Sequence, residues 1–102
     1  MTNFSSHEVL DEAYFLKARI YQKQRKYVEA IEAYQYIVDN KYYDVLADNS
    51  LFAIADIYHH NLNQPEKAQE LYKQIMLDFK DSIYNLESRT RFRTLRGDKI
   101  VN

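Results

Sequence analysis

Apolar residues recur at every third or fourth position through most of this 102-residue chain, which is the spacing of one face of an α-helix. Ser5, followed three residues later by Glu8, has the form of a capping box, so we expect the first helix to begin there. Polar residues 22–26 end this helix. A second apolar stripe begins near Tyr27 and closes at polar residues 39–41. The pattern predicts two helices joined by a short turn, which together form a helical hairpin.

A second pair of helices follows the first. The third helix starts around Ala47 or Asp48, and residues 61–64 are interpreted as a turn. Pro65, the only proline, falls at the first position of a fourth helix, where its missing N–H leaves no hydrogen bond unmade. The spacing therefore predicts a second helical hairpin.

A fifth helix ends the pattern. We expect Asp81 or Ser82 to cap its start, and Gly97, the only glycine, follows at a position suited to the left-handed end of a helix. One Gly and one Pro provide little material for tight β-turns, so a many-stranded fold is not expected. We predict one all-α domain over residues 1–102, divided into a first repeat at about 8–42, a second repeat at about 46–80, a closing helix at about 82–96 and a tail at 97–102.

The two hairpins carry the same residue types at matching positions. These positions are Tyr14, Ala18, Tyr21, Ala30, Tyr34 and Ile37 in the first hairpin, and Leu51, Ala55, Tyr58, Ala68, Tyr72 and Ile75 in the second. The offset is 37 residues in the first helix of each pair and 38 in the second, so we place one extra residue in the turn before Pro65. Small alanines let two helices cross closely, while tyrosines fill the wedge between them.

These positions resemble the tetratricopeptide repeat over about residues 11–82. The chain departs from the family pattern in having Tyr14 and Leu51 in place of Trp, Ala18 and Ala55 in place of Gly, and Lys80 near the place of the closing Pro. Its unit is also longer than the usual ~34 residues. The resemblance implies a right-handed solenoid of two helical hairpins with a C-terminal closing helix.

Units of this length resemble repeat proteins of the bacterial cell envelope, including assembly lipoproteins and Tol–Pal-associated factors. Residues 81–98 resemble the closing helix of such arrays, so the chain resembles the C-terminal part of a longer bacterial protein. Repeat arrays usually need about three units for stability. Either the closing helix covers the second hairpin, or the chain dimerises, or it belongs to a longer parent. We favour the longer parent, because no polar capping helix precedes residue 8.

The family resemblance places a ligand groove on the inner face of the first helix of each pair. The residues that match this face are Glu12, Phe15, Arg19, Gln22, Lys23, Asn49, Phe52, Asp56, His59, Asn85 and Arg89. Phe15 and Phe52 lie off the core stripe, so they either anchor an apolar side chain of a partner or pack on each other or on missing repeats. Glu12 and Asp56 occupy part of the set of Lys and Asn positions that clamps acidic C-terminal peptides, so we expect a ligand of mixed charge.

Catalytic, metal and cofactor sites are not expected. The chain has no Cys, which excludes thiolate metal sites and a Cys nucleophile, and it has no phosphate loop or nucleophile elbow. His59 and His60 are adjacent on a helix and should point about 100° apart, so they do not readily share one ion. We therefore predict a protein that is not an enzyme and that needs no cofactor.

Charge and hydropathy bear on the remaining classes of partner. The net charge is −1, although residues 82–102 carry five Lys/Arg and two Asp/Glu. Arg89, Arg93 and Arg96 share one face of the fifth helix, which either binds nucleic acid or complements the dipole of its own helix, and we favour the second reading or an acidic protein surface. No apolar run approaches the ~20 residues of a membrane span, and residues 1–7 do not resemble a signal peptide. We expect a protein or peptide partner and no membrane insertion. The sequence leaves the compartment open: cytoplasmic, or periplasmic if the chain was cut from an exported parent.

Two hypotheses for function follow from these patterns. The preferred one is reversible binding of a protein or peptide in the groove. The alternative is a structural cap or self-association segment, with a homodimer as one form, whose inner face binds nothing.

Overall fold

Five helices form the part of the chain that the computed structural model describes, which is residues 6–40 and 44–97. They are α1 (Ser6–Lys23), α2 (Tyr27–Asn40), α3 (Asp44–Asp56), α4 (Pro65–Asp78) and α5 (Asn85–Arg96), with a π-helical turn at Ile57–Asn61 directly after α3. No strand occurs within these described residues. The predicted all-α architecture of two hairpins and a closing helix is confirmed.

The chain's proline and glycine lie where the sequence predicts. Pro65 is the first residue of α4. Gly97 follows α5 with a φ of 90°, and its N–H donates to the carbonyl oxygens of Arg93 and Thr94. This left-handed conformation is one that glycine adopts without a steric penalty, so Gly97 ends the helix as predicted. The predicted cap Ser5 lies outside the described residues, as does the tail beyond Gly97.

The extra residue of the second hairpin lies in the π-helical turn. In the first hairpin, the N–H of Lys26 donates to the carbonyl oxygen of Tyr21 at 2.9 Å, and the corresponding bond of the second hairpin joins Gln64 to Tyr58 at 2.8 Å. The second bond spans one residue more than the first. A π-helical turn accommodates such an insertion because its hydrogen bonds close over five residues instead of four. The insertion is therefore at Ile57–Asn61, and Asn61 belongs to the helix and not to the predicted turn.

Two predicted helix starts are wrong by about three residues. Helix α3 begins at Asp44 instead of Ala47, and α5 begins at Asn85 instead of near Ser82. The Ser82 hydroxyl accepts a hydrogen bond from the N–H of Tyr84 at 3.0 Å, so it stabilises a turn before the helix. Local sequence does not distinguish this turn from a helix cap, because Ser serves equally well in both.

The core lies where the repeated alanines and tyrosines meet. The four repeat alanines are fully buried, with 0% exposure: Ala18, Ala30, Ala55 and Ala68. Tyr34 of α2 and Tyr72 of α4 are also buried, whereas Tyr21 and Tyr58 on the first helices are partly buried. Each helix packs against the next along the chain, and α1 also contacts α3. This arrangement leaves the first helices of the two hairpins side by side, with a groove between them.

None of the helices in the described ranges is long and apolar enough to cross a membrane.

Candidate binding groove

A groove of about 560 Å³ lies between α1 and α3. Its lining residues are Phe15, Arg19, Gln22, Lys23, Tyr34, Asn49, Phe52, Ala53, Asp56 and Tyr84. Seven of the eleven residues proposed from the sequence are among them. Four of these residues are aromatic, and five carry a charged or amide side chain.

The other four proposed residues do not line this groove. Glu12 is exposed near the start of α1. The Asn85 amide donates to the carbonyl oxygens of Ile75 and Met76 in α4 and of Phe79 just after it, at 3.1 to 3.4 Å, and so holds the start of α5 against the end of α4. Arg89 is exposed and donates to the Asn85 side-chain oxygen at 3.4 Å. His59 lies beside Tyr72 in the second hairpin. Asn85 therefore satisfies backbone groups of the fold itself.

An aromatic pair forms the floor of the groove in the first hairpin. The ring of Phe15 meets the ring of Tyr34 edge-on, with centroids 5.7 Å apart and planes inclined by 69°. The Tyr34 hydroxyl donates to the Gln22 side-chain oxygen at 2.8 Å. Ala53, from α3, borders the same space with only a methyl group. We call this set, Phe15, Gln22, Tyr34 and Ala53, the first socket.

The second hairpin has the same aromatic pair. Phe52 and Tyr72 meet with centroids 5.8 Å apart and planes inclined by 61°. His59 takes the place of Gln22, with its Nδ1 atom 3.3 Å from the Tyr72 hydroxyl oxygen. The next helix contributes Arg91, which follows Tyr72 by 19 residues, as Ala53 follows Tyr34. We call Phe52, His59, Tyr72 and Arg91 the second socket.

Arg91 occupies the second socket with polar and stacking contacts. Its guanidinium carbon lies 4.8 Å from the Phe52 ring centroid and 5.7 Å from that of Tyr72. Its Nη1 atom donates to the Asp56 carboxylate and, at 3.0 Å, to the Tyr72 hydroxyl oxygen. Its Nε atom donates to Glu87 at 3.0 Å. A single side chain thus joins the closing helix to both helices of the second hairpin.

Burial, hydrogen bonds and neighbouring charges together set the protonation states of this cluster. Burial raises the pKa of Tyr72, so its hydroxyl keeps its proton and donates to Asp56 at 2.8 Å. Burial acts to lower the pKa of Arg91, but its hydrogen bonds and the Asp56 charge outweigh that effect and raise it. Burial, together with the charges of His60 and Arg91, lowers the pKa of His59. His59 is therefore neutral at pH 7 and Arg91 is charged.

The first socket has a different charge. Burial raises the pKa of Tyr34, and the charge of Arg19 opposes this rise. No ion pair joins Arg19 or Lys23 to another side chain in the described part of the chain. Asp56, the acidic residue of the groove lining, is already paired with Arg91. The unpaired charges along the groove are thus positive.

The two histidines of the π-helical turn lie closer together than we predicted. The rings of His59 and His60 stack, with centroids 4.1 Å apart, although adjacent helix positions were expected to point about 100° apart. His60 also lies 3.9 Å from the Asp56 carboxylate, four residues earlier. Within residues 6–40 and 44–97, no three His, Asp or Glu side chains gather as a metal site.

Sequence reasoning missed four residues that shape the groove, namely Tyr34, Ala53, Tyr84 and Arg91. Tyr34 was assigned only to the core, although its ring also borders the groove. Tyr84 stacks on Phe52, with centroids 4.5 Å apart. Ala53 and Arg91 could have been found from the sequence, because each follows the buried tyrosine of its hairpin, Tyr34 or Tyr72, by 19 residues. Both phenylalanines are partly buried, and Phe52 is covered by Tyr84 and Arg91.

Comparison with known protein families gives two matches, and both family models are described as tetratricopeptide repeat. They cover residues 12–42 and 48–76, which is more than half of the chain. Each match coincides with one of the two hairpins. No match to a curated protein or to a solved structure was found.

Proposed function

Because this chain belongs to the tetratricopeptide repeat family, we propose that it is a non-catalytic scaffold that binds a protein or peptide in the groove between α1 and α3. Repeats of this family generally act as protein-interaction scaffolds. The observation that carries the proposal is the first socket, in which an aromatic pair borders a groove that no side chain of the described residues fills.

The contrast between the sockets supports a binding role. In the second socket Arg91 covers the aromatic pair, so that surface belongs to the contact between helices. In the first socket Ala53 leaves the aromatic pair open to the groove. Protein interfaces commonly have this composition, with aromatic anchors at the centre and polar groups at the rim. The first socket is therefore the expected anchor point for a partner side chain.

Display of a random peptide library against the immobilised chain tests the proposal. Phe15→Ala removes the floor of the socket, and Ala53→Gln narrows it without changing the aromatic pair. Each variant should weaken binding of the selected peptides about tenfold or more. Leu77→Ala, at an exposed apolar position of α4 outside the groove, is the control. Circular dichroism melting of each variant separates loss of binding from loss of folding. Peptides that bind all the variants equally well would contradict the proposal.

One observation favours the alternative, a structural cap or self-association segment. Helix α1 exposes Leu16 and Ile20, at 58% and 54%, on successive turns. Their counterparts in α3, by the 37-residue offset, are Ala53 and Ile57, and Ile57 is fully buried in the core shared with α2. Helix α1 therefore carries an apolar face of the kind that a neighbouring helix covers elsewhere in this fold.

Light scattering coupled to size-exclusion chromatography distinguishes this alternative. If α1 mediates self-association, the molar mass should rise with concentration, and Leu16→Glu together with Ile20→Glu should return it to that of the 12.3 kDa monomer. A molar mass that equals the monomer at all concentrations would contradict self-association and leave the groove proposal unaffected.

A further inference from the structure

The two sockets have the same floor but opposite charges beside it. In each, a phenylalanine meets a tyrosine at almost the same distance, 5.7 Å and 5.8 Å. The residue one helical turn after the phenylalanine is Asp56 in the second hairpin and Arg19 in the first. Since residues four apart lie on the same face of a helix, each of these charges stands at the rim of its own socket.

The second socket shows what such a site holds. Its occupant, Arg91, places its planar guanidinium over the Phe52 ring and pairs its charge with Asp56. Stacking and charge pairing therefore act together on one side chain. A charged occupant is retained in this partly buried place because its charge is opposite to that of the rim residue.

The first socket lacks such an occupant and has the reverse charge at its rim. Ala53 stands where Arg91 stands in the second socket, so the space above the aromatic pair is open. Arg19 would repel a guanidinium or an ammonium group placed there. Lys23, one turn further along α1, also lines the groove and adds to the positive charge.

The one acidic side chain in the groove lining does not compensate these cations. Asp56 accepts from Arg91 and from the Tyr72 hydroxyl, so its carboxylate is already satisfied. No charged side chain in the described residues is paired with Arg19 or Lys23. A partner that enters the groove therefore meets an aromatic floor and a positive rim.

We infer that the first socket selects an acidic side chain of the bound protein segment, with its stem on Phe15 and Tyr34 and its carboxylate at Arg19. This inference rests on the proposed function, because it names the chemistry of the partner at the same groove. A guanidinium and a carboxylate pair through two parallel hydrogen bonds, which gives both strength and orientation. The expected gain over an uncharged isostere is about tenfold in affinity.

The test compares the sequences that different variants select from one peptide library. The peptides are joined to the display scaffold at both ends, so that no terminal carboxylate is available. The baits are the unmodified chain, Arg19→Asp, and a control, Lys73→Asp, which makes a comparable charge change at an exposed position of α4. We expect the unmodified chain and the control to enrich Asp and Glu beside an apolar residue, and Arg19→Asp to enrich Lys and Arg.

Synthetic peptides then give the magnitude. For the strongest selected peptide, replacing its acidic residue by the matching amide should weaken binding to the unmodified chain about tenfold. The same replacement should change binding to Arg19→Gln by less than about twofold. Isothermal titration calorimetry at one fixed salt concentration measures both affinities, since charge pairing at a groove rim depends on ionic strength.

The possible outcomes distinguish this inference from the proposed function, which is binding of a protein or peptide in the groove. Phe15-dependent peptides that show no acidic preference, or a preference unchanged in Arg19→Asp, would overturn the inference and leave the binding groove standing. If no peptide is captured in a Phe15-dependent way, the proposed function fails and the inference fails with it. A preference that reverses with the charge at position 19 supports both.

Discussion

The first and second hairpins carry the same aromatic pair, yet only in the first do both rings line the groove. The pairs Phe15–Tyr34 and Phe52–Tyr72 have almost the same separation and inclination. The difference comes from the helix that follows each hairpin. Helix α3 places Ala53 beside the first pair, whereas α5 places Arg91 on the second.

Under the proposed function, one side chain of the next helix decides whether a repeat surface is open to a partner or is covered within the fold. Arg91 completes the second socket by contacts to three helical segments and makes α5 part of the fold. The small side chain at position 53 leaves the equivalent surface of the first hairpin available. The aromatic pair of the second hairpin therefore packs against the closing helix, whereas the pair of the first hairpin forms a candidate binding site.

The largest effect is expected from removing the buried tyrosine of the second socket. Tyr72 has 0% exposure and fills the wedge between α3 and α4. Tyr72→Ala should lower the free energy of unfolding by about 3–5 kcal/mol, because it leaves a large cavity. Urea denaturation measures the loss. Tyr36→Ala, at a partly buried ring that stacks on Tyr14, is the control and should cost less. If both substitutions lowered the free energy of unfolding equally, Tyr72 would contribute no more to the core than Tyr36 does.

Opening the second socket comes next in size. Arg91→Ala removes the stacking on Phe52 and the charged hydrogen bonds to Asp56 and Tyr72. The Arg91 side chain is only 25% exposed, so solvent screens these bonds weakly, and we expect a loss of about 1.5–3 kcal/mol. The same denaturation experiment measures it. Arg93→Ala, exposed on the same helix, should change stability by less than about 0.5 kcal/mol. An Arg91→Ala variant as stable as this control would contradict a stabilising role for the Arg91 contacts.

Closing the first socket is the reverse experiment. Ala53→Arg alone brings a second cation beside Arg19 and should destabilise the fold. Adding Arg19→Asp recreates the pairing of the second socket, and we expect a favourable coupling of about 1 kcal/mol in a double-mutant cycle. The double variant should also lose peptide binding, because its own arginine fills the groove. Strictly additive effects of the two substitutions would show that the sockets are not equivalent.

The smallest effect concerns pH and a second residue that differs between the sockets, His59 against Gln22. Burial, the charges of His60 and Arg91, and a weaker opposing effect of Asp56 leave the pKa of His59 below its ordinary value of 6.5. The unfolded chain therefore takes up a proton more readily, and the native state loses stability as the pH falls from above 6.5 towards the lower native pKa.

His59→Gln tests this by giving the second socket the amide of the first. The free energy of unfolding, measured at pH 7.5 and at pH 5.5, should fall less on acidification in His59→Gln than in the unmodified chain. Parallel pH profiles for the two proteins would show that His59 does not contribute to the pH dependence.

Much of the candidate site could be predicted because the family resemblance implies a ligand groove on one face of the first helix of each pair. The helical period places Phe15, Arg19 and Gln22 on the same side of α1, and the repeat offset transfers that side to α3. Seven proposed residues accordingly line the groove. The assignment was less informative at α5, where Asn85 binds backbone carbonyls of α4 instead of lining this groove. That contact depends on where one helix meets the end of another.

The sequence by itself determined the helices, their pairing and the close crossings at the repeat alanines. These features depend on hydrogen bonds and side-chain spacings within a few residues, which local pattern records directly. Only the tertiary structure decided the charge of the groove, because Arg91 neutralises Asp56 from a position 35 residues further along the chain. It also decided which aromatic pair stays open, since that depends on the side chain that a later helix brings to the socket.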